Sequence, residues 1–360
     1  MCVARICVIQ HCFRGCQLQT TRPVSHPVTW RKGREVNDLE RLAIQYQALE
    51  DVDQTDFQRA ARVLQSMWRV EQRYPIGEHR GRPLGSRLAM PWAEQTLANF
   101  LNERIRQVVR QEVMDPRKAK GRLYARPRIY NDLLSSQPLC FNLFAELHLD
   151  LKLATAVLKD LSSGRVEQVT GIEFEYSPGR GCAQYTGDNS AFDVFVTFET
   201  PARQAGFAGI EVKYHENLAD KPVPHRERYD AVAGLMGCFR PEALPGLRER
   251  PLQQIWRDHL LAGSLRHTDG YADGFFAFLY PKDNPACANA VRAYRSCLSD
   301  AGTFVAWTLE KVSEAIRRHA SPGWIDCFVD RYLNFARLSK CFAAGIGPTS
   351  GRSVMEESHG

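Results

Sequence analysis

The sequence predicts an α/β fold built on a mixed sheet, and three observations carry that reading. A long amphipathic stretch beginning at Pro138 precedes three short β-branched or aromatic runs separated by turn residues. Two helical stretches then lead into a fourth such run, giving the order helix, three strands, helix, strand. Hydrophobic residues make up 44% of the 360-residue chain, enough for a substantial buried core.

In chain order, residues 1–36 read as a disordered leader. The first acidic residue is Glu35, and an acid-poor, arginine-containing start is a trait shared with transit peptides. Cys2, Cys7, Cys12 and Cys16 with His11 invite a metal-site reading, but their spacings match no common zinc pattern. No run approaches the roughly 18 apolar residues of a membrane span, so no membrane partner is expected. Of the 11 cysteines, those from Cys140 onward fall singly with no C-x-x-C pair, which points to a reducing, cytoplasmic setting. A net charge of +6 permits an acidic partner without demanding one.

Residues 39–72 carry apolar side chains at helical spacing, a Gly/Pro-rich break follows over 75–91, and a helix is expected over 92–113. Together 37–130 form a helical N-terminal region ending in a basic loop. The second unit, 131–343, opens with one long helix over 138–161, with Leu143, Leu147, Leu151, Ala154, Leu158 and Leu161 on one face. Strands are expected over 166–177, 191–199 and 206–216, helices over 226–236 and 252–265, and a strand over 274–281. "TFVAWTL" and "EKVSEAIRRH" add a strand and a helix, and 344–360 reads as a flexible tail.

The hairpin "AFDVFVTFETPARQAGFAGIEVKYHE" carries charge where plain strands would not. Side chains alternate faces along a strand, so Glu211 and Lys213 share one face and Val212 and Tyr214 take the other. A symmetric hairpin centred on Arg203 sets Asp193 opposite Lys213 and Phe195 opposite Glu211, crowding the three charges on one face. Two carboxylates held close repel unless a cation joins them, and oxygen ligands suit Mg²⁺ or Mn²⁺. With Lys213 beside them to bind a phosphate or tune a water, the chemistry is phosphodiester hydrolysis. An E-x-K tripeptide alone is weak, since about one is expected by chance in such a chain. The competing reading is a surface salt-bridge ladder. Against it, the intervening residues are apolar on both faces, and bare carboxylates on a covered strand are costly. "DLK" at Asp150 and Lys152 is a decoy, because it falls inside the expected long helix, where i and i+2 do not share a face. Asp188 in "TGDNSAFD" reads as a turn residue rather than as a further acid at the site.

The D…E-x-K hairpin "FDVFVTF…GIEVKYHE", preceded by a helix bearing Glu146, resembles the PD-(D/E)XK nuclease superfamily, in an uncharacterised restriction-endonuclease-like branch. The resemblance spans roughly 138–281 and, more loosely, continues to 319. It implies a restriction-endonuclease-like α-β-β-β-α-β core and a metal-dependent endonuclease. It also implies Asp193, Glu211 and the Val212 carbonyl as metal ligands, Lys213 as the residue that orients or activates water, and Glu146 as a further acidic ligand. Phe192 stands where the family's nominal proline would be, which leaves the chemistry intact.

The densest basic run is "RKAKGRLYARPR", residues 117–128, with six basic residues in twelve and no acid. Lys118, Lys120, Arg122, Arg126 and Arg128 are expected to follow a phosphate backbone, with Tyr124 stacking on a base. Gln254 is expected to reach nucleic acid from its helix. The expected substrate is DNA, with RNA and a catalytically silent nucleic-acid-binding protein as the rivals. A homodimer is compatible with cutting both strands.

Overall fold

The computed structural model describes residues 34–320 and 323–344, so the leader cysteines with His11, and the tail from 345, lie outside the described residues. The first expected helical stretch is two helices, α1 (Arg34–Gln45) and α2 (Asp56–Glu71). Thr55 and Gln58 form a reciprocal capping box that starts α2 independently of α1. The Gly/Pro-rich break holds a hairpin, β1 (Ile76–His79) and β2 (Arg82–Leu88). Its two-residue turn, Arg80 and Gly81, takes positive φ at both positions, as this turn type requires.

The helix expected over 92–113 is interrupted as well. α3 (Trp92–Thr96) stops at Leu97, and α4 (Glu103–Val109), running on into a π-helical turn, starts afresh where the Asn102 side chain accepts the Ile105 N–H. Two one-turn helices, α5 (Pro116–Ala119) and α6 (Arg128–Asn131), flank the basic loop. The long helix expected over 138–161 is α7 (Ser136–Leu149) and α8 (Leu151–Leu161). They part at Asp150, whose carboxylate accepts the N–H groups of Lys152 and Leu153. The "DLK" decoy is therefore a helix cap and not a helix interior.

The strands are β3 (Gln168–Tyr176), β4 (Phe192–Glu199) and β5 (Ala205–Val212). After them come α9 (Glu227–Met236), α10 (Leu244–Leu247), α11 (Gln253–Asp269), β6 (Asp273–Tyr280), α12 (Pro285–Ser296), β7 (Phe304–Thr308), α13 (Leu309–His319), α14 (Trp324–Tyr332) and α15 (Ala336–Ala344). The sheet runs β3-β4-β5-β6-β7, antiparallel as far as β5 and parallel beyond it. This is the mixed α/β sheet of a restriction-endonuclease-like fold.

Alternation along the strands divides the interior in two. Val194, Val196, Ala208, Ile210 and Val212 pack with α2, α7, α8 and α13, whereas Phe195, Phe207, Phe276 and Phe278 pack with α9, α11 and α12. On the first side, Tyr214 is fully buried; its hydroxyl accepts from Gln65 Nε2 of α2 at 3.1 Å and donates to the Tyr332 carbonyl of α14 at 3.1 Å. Arg331 fills the space between them, 0% exposed, donating to Gln65 and Asn99 with its guanidinium 3.9 Å from the Trp68 ring. The residue next to Lys213 is thereby pinned by α2 and α14, elements far apart in the sequence.

Candidate active site

The β4–β5 ladder runs from Glu199↔Ala205 to Val194↔Ile210. Thr200 N–H bonds the Gln204 carbonyl across a three-residue loop whose last residue, Arg203, takes φ 60°. The hairpin is thus centred on Ala202, one residue before the expected centre, and paired numbers sum two lower than expected. Continuing the register sets Asp193 opposite Glu211, not opposite Lys213. An even shift does not swap faces, so Asp193 stays on the side of Glu211 and Lys213, and all three charges still meet on the α11 side of the sheet.

Glu211 and Lys213 are 6% and 8% exposed, and Asp193 is half-buried. Lys213 Nζ lies 2.7 Å from Glu211 Oε1, and Gln254 Nε2 of α11 donates to the same oxygen at 2.7 Å. Asp193 Oδ2 accepts the Val212 N–H at 2.8 Å, tying the two strands together at the site. The ring of Phe192 lies where a side chain at Gly209 would go, so the strand beneath must be bare.

Burial, and then the nearby Glu211, push the Asp193 carboxyl well above the ordinary carboxylate range, with Lys213 and the Val212 N–H pulling the other way. Burial alone would depress Lys213, but Glu211, Glu216 and Asp193 outweigh it and hold its ammonium above the usual range. Two facing carboxylates with one ammonium fit a divalent cation that takes few protein ligands and keeps waters, as Mg²⁺ does. Among the described residues no three His, Cys, Asp or Glu side chains converge as a ready-made cage. The acids that the hairpin itself offers are therefore Asp193 and Glu211.

Glu146 is not brought to this cluster. α7 covers the opposite face of the sheet, and the Glu146 carboxylate accepts from Asn102 Nδ2 at 2.9 Å and Arg104 Nε at 2.8 Å. The end of α7 nearest the site is its first turns, where Gln137 donates to Glu175 and Cys140 is pushed up by burial and then by Asp193 and Glu211.

Two acids near the site escaped the sequence reading. Glu175 of β3 has φ 50°, in the left-handed region. This kink breaks the alternation: Phe174 packs on the α7 side, yet Tyr176, two residues on, stacks on Phe195 on the other. Glu175 is gripped by Arg180 at 2.7 Å and Gln137, and burial with the nearby Glu211 raises it. Asp258, one turn after Gln254 on α11, is buried, its Oδ2 has no hydrogen-bond partner, and burial and then Glu211 drive it well up. The i, i+4 relation to Gln254 was a legible signal for Asp258; nothing local marks Glu175.

Asp188 is saturated by protein donors. Arg257 reaches its Oδ2 from Nε at 2.9 Å and Nη2 at 2.6 Å, Tyr229 OH donates at 2.7 Å, and Ser190 and Thr186 complete the shell. Burial alone would raise it, but Tyr229, Arg257 and Ser190 hold it far below the ordinary range.

The basic loop borders the site through two ties. Arg180 donates to the Gly121 carbonyl as well as to Glu175, and Gln137 bonds both Leu123 and Ala125. Lys118, Lys120, Arg126 and Arg128 are exposed. Lys118 lies 3.7 Å from Glu112 and Arg128 3.5 Å from Asp132, while Arg126 donates to the Val113 carbonyl. Arg122 pairs with Glu173 at 2.6 Å. Tyr124 does not fit the expected role of base stacking: its ring packs on Phe141 and its hydroxyl is buried, because the loop's alternation turns it inward.

No described helix is long and apolar enough to cross a membrane. No curated protein and no solved structure matches the chain. The sequence profile of the PD-(D/E)XK nuclease superfamily matches residues 51–334, from just before α2 to just past α14. With that pattern running through every strand of the sheet, the chain belongs to the PD-(D/E)XK nuclease superfamily.

Proposed function

We propose that the protein is a metal-dependent endonuclease that hydrolyses phosphodiester bonds in DNA, with Mg²⁺ or Mn²⁺ as its ion. The observation that carries this reading is the register that sets Asp193 opposite Glu211 with Lys213 2.7 Å from the latter, on a covered face. Asp193, Glu211 and the Val212 carbonyl are the groups that would hold the ion. When bound, it supplies charge neutralisation for in-line displacement and a water acidic enough to ionise near neutral pH.

The chain's own groups do the rest. Lys213, kept charged by its acidic neighbours, donates from Nζ to the attacking water or to the phosphoryl oxygens rather than accepting a proton. Gln254 fixes the Glu211 rotamer through Oε1, and α11 above it keeps bulk water from the strand face. The exposed cations of the 117–128 loop, tied to the site edge by Arg180 and Gln137, follow the backbone of the substrate. In this reading 131–343 is the nuclease unit and 37–130 its helical support. The seven described cysteines are all unpaired, which favours a reducing, cytoplasmic setting.

Supercoiled plasmid, linear duplex, single-stranded DNA and RNA, each incubated with Mg²⁺, Mn²⁺ or EDTA, test the proposal. Nicking or cutting of DNA that needs the metal supports it. Cutting of RNA alone corrects the substrate, and binding without cutting by intact protein marks a catalytically silent relative. Sedimentation with and without duplex reads whether a homodimer forms.

A further inference from the structure

A cavity of about 200 Å³ opens beside the catalytic hairpin, and the proposed function leaves it unassigned. Gln254 lines it and also donates to Glu211, so the cavity and the reacting centre share a wall. Lys221, Arg250 and Arg257 line it too, against one acid, Asp220.

Arg257 differs from an ordinary surface cation. Two of its three nitrogens are committed, Nε and Nη2 to Asp188 and Nη2 again to Ser190 at 2.9 Å. Asp188 is itself fixed by Tyr229, Thr186 and Ser190, so the guanidinium plane is locked from behind. Nη1 has no partner among the described residues. A guanidinium held in this way has already lost its rotamer freedom, so a phosphate that meets it gains a charge-assisted bond at little ordering cost. Arg250 and Lys221 are exposed at the same cavity, and Arg250 is steadied by the Ala219 carbonyl at 3.1 Å.

We propose that this cavity is a phosphate subsite, in which Arg257, Arg250 and Lys221 hold a backbone phosphate of the nucleic acid a short, fixed distance from the one being cut. The inference rests on the nuclease reading and deepens it: the enzyme measures its position along one strand by a second phosphate, not by base identity.

Oligonucleotides carrying a single neutral methylphosphonate linkage, cut by the full-length protein with Mn²⁺, test it. Wild-type protein should spare the neutral linkage itself and, in addition, show cutting reduced about tenfold at one other linkage, at a constant offset wherever the neutral linkage is placed. Arg257→Lys keeps a cation for Asp188 but removes the spare nitrogen, and should flatten the offset minimum. Lys221→Gln with Arg250→Gln alters only exposed side chains and should weaken it even if the Arg257 variant folds poorly. Arg203→Gln, at the far tip of the hairpin, removes one exposed cation and should leave the minimum in place. A wild-type pattern with no offset minimum, or a minimum that survives both sets of variants, overturns the subsite while leaving the nuclease reading standing. No cutting of any oligonucleotide by wild-type protein removes the nuclease reading, and the subsite with it.

Discussion

Asp193 carries the electrostatic load of the metal-free site, since burial and the facing Glu211 both oppose its ionisation. Its folded pKa is raised above the unfolded value of about 3.9, so its contribution to stability is complete below that pH and is lost as pH rises through the folded value. Without metal, Asp193→Asn should therefore melt at least as high as wild type at neutral pH, and the difference should shrink in mild acid. Added Mn²⁺ should stabilise wild type and fail to stabilise Asp193→Asn or Glu211→Gln, both of which lose cleavage. Lys213→Ala should keep the metal-induced shift while cleavage falls by about a hundredfold or more. Glu146→Gln, paired only with Asn102 and Arg104, should keep both. Melting curves with and without Mn²⁺ beside a cleavage assay check all four; retained shift and activity in the two carboxylate variants would leave only a salt-bridge ladder.

At the scale of the element, α11 combines the site's Gln254 with a buried anchor one turn and a half further on. His259 sits between Tyr294 OH and Thr303 Oγ1, each at 2.9 Å, and burial depresses its pKa to about 3. The unfolded chain binds this proton at roughly pH 6.5 and the folded chain does not, so stability is present above that pH and drops as pH falls. The slope should approach about 1.4 kcal/mol per pH unit below that point, and His259→Gln, though less stable at pH 7, should lose that slope. Denaturant midpoints at pH 7 and pH 5 measure it. The basic loop behaves as another unit. Lys118→Ser with Lys120→Ser should weaken nucleic-acid binding and reduce the salt slope by about 0.9 for each phosphate no longer neutralised, as fluorescence titration at several salt concentrations would read. Tyr124→Phe, which removes only the buried hydroxyl, should leave binding unchanged.

Over the whole molecule, one interior joins residues from Leu39 to Leu338, and Tyr214 is where it meets the site. Removing its hydroxyl with Tyr214→Phe leaves the Gln65 amide and the Tyr332 carbonyl short of a partner, at a cost of about 1–3 kcal/mol. The melting temperature should fall by several degrees while turnover at low temperature stays near wild type. Loss of turnover at full stability would instead mean that Tyr214 acts on Lys213 directly.

The order of strands and the shared face of Asp193, Glu211 and Lys213 were legible from sequence, because a strand's period of two is a local property that survives any even shift of register. Local patterning also marked the helices α7 and α9, but it read through the breaks at Asp150, at Leu97 and before Thr55. There a single capping side chain or a left-handed residue overrides an unbroken apolar spacing. The pairing partner of Asp193 depended on the conformation of a three-residue loop. The burial of Tyr124, the diversion of Glu146 to Arg104, the turn of Gln254 onto Glu211 and the approach of Glu175 and Arg257 came only from the fold. These groups are separated from the hairpin by up to tens of residues, and only the packing of α7 and α11 on opposite faces of one sheet decides which of them reach it.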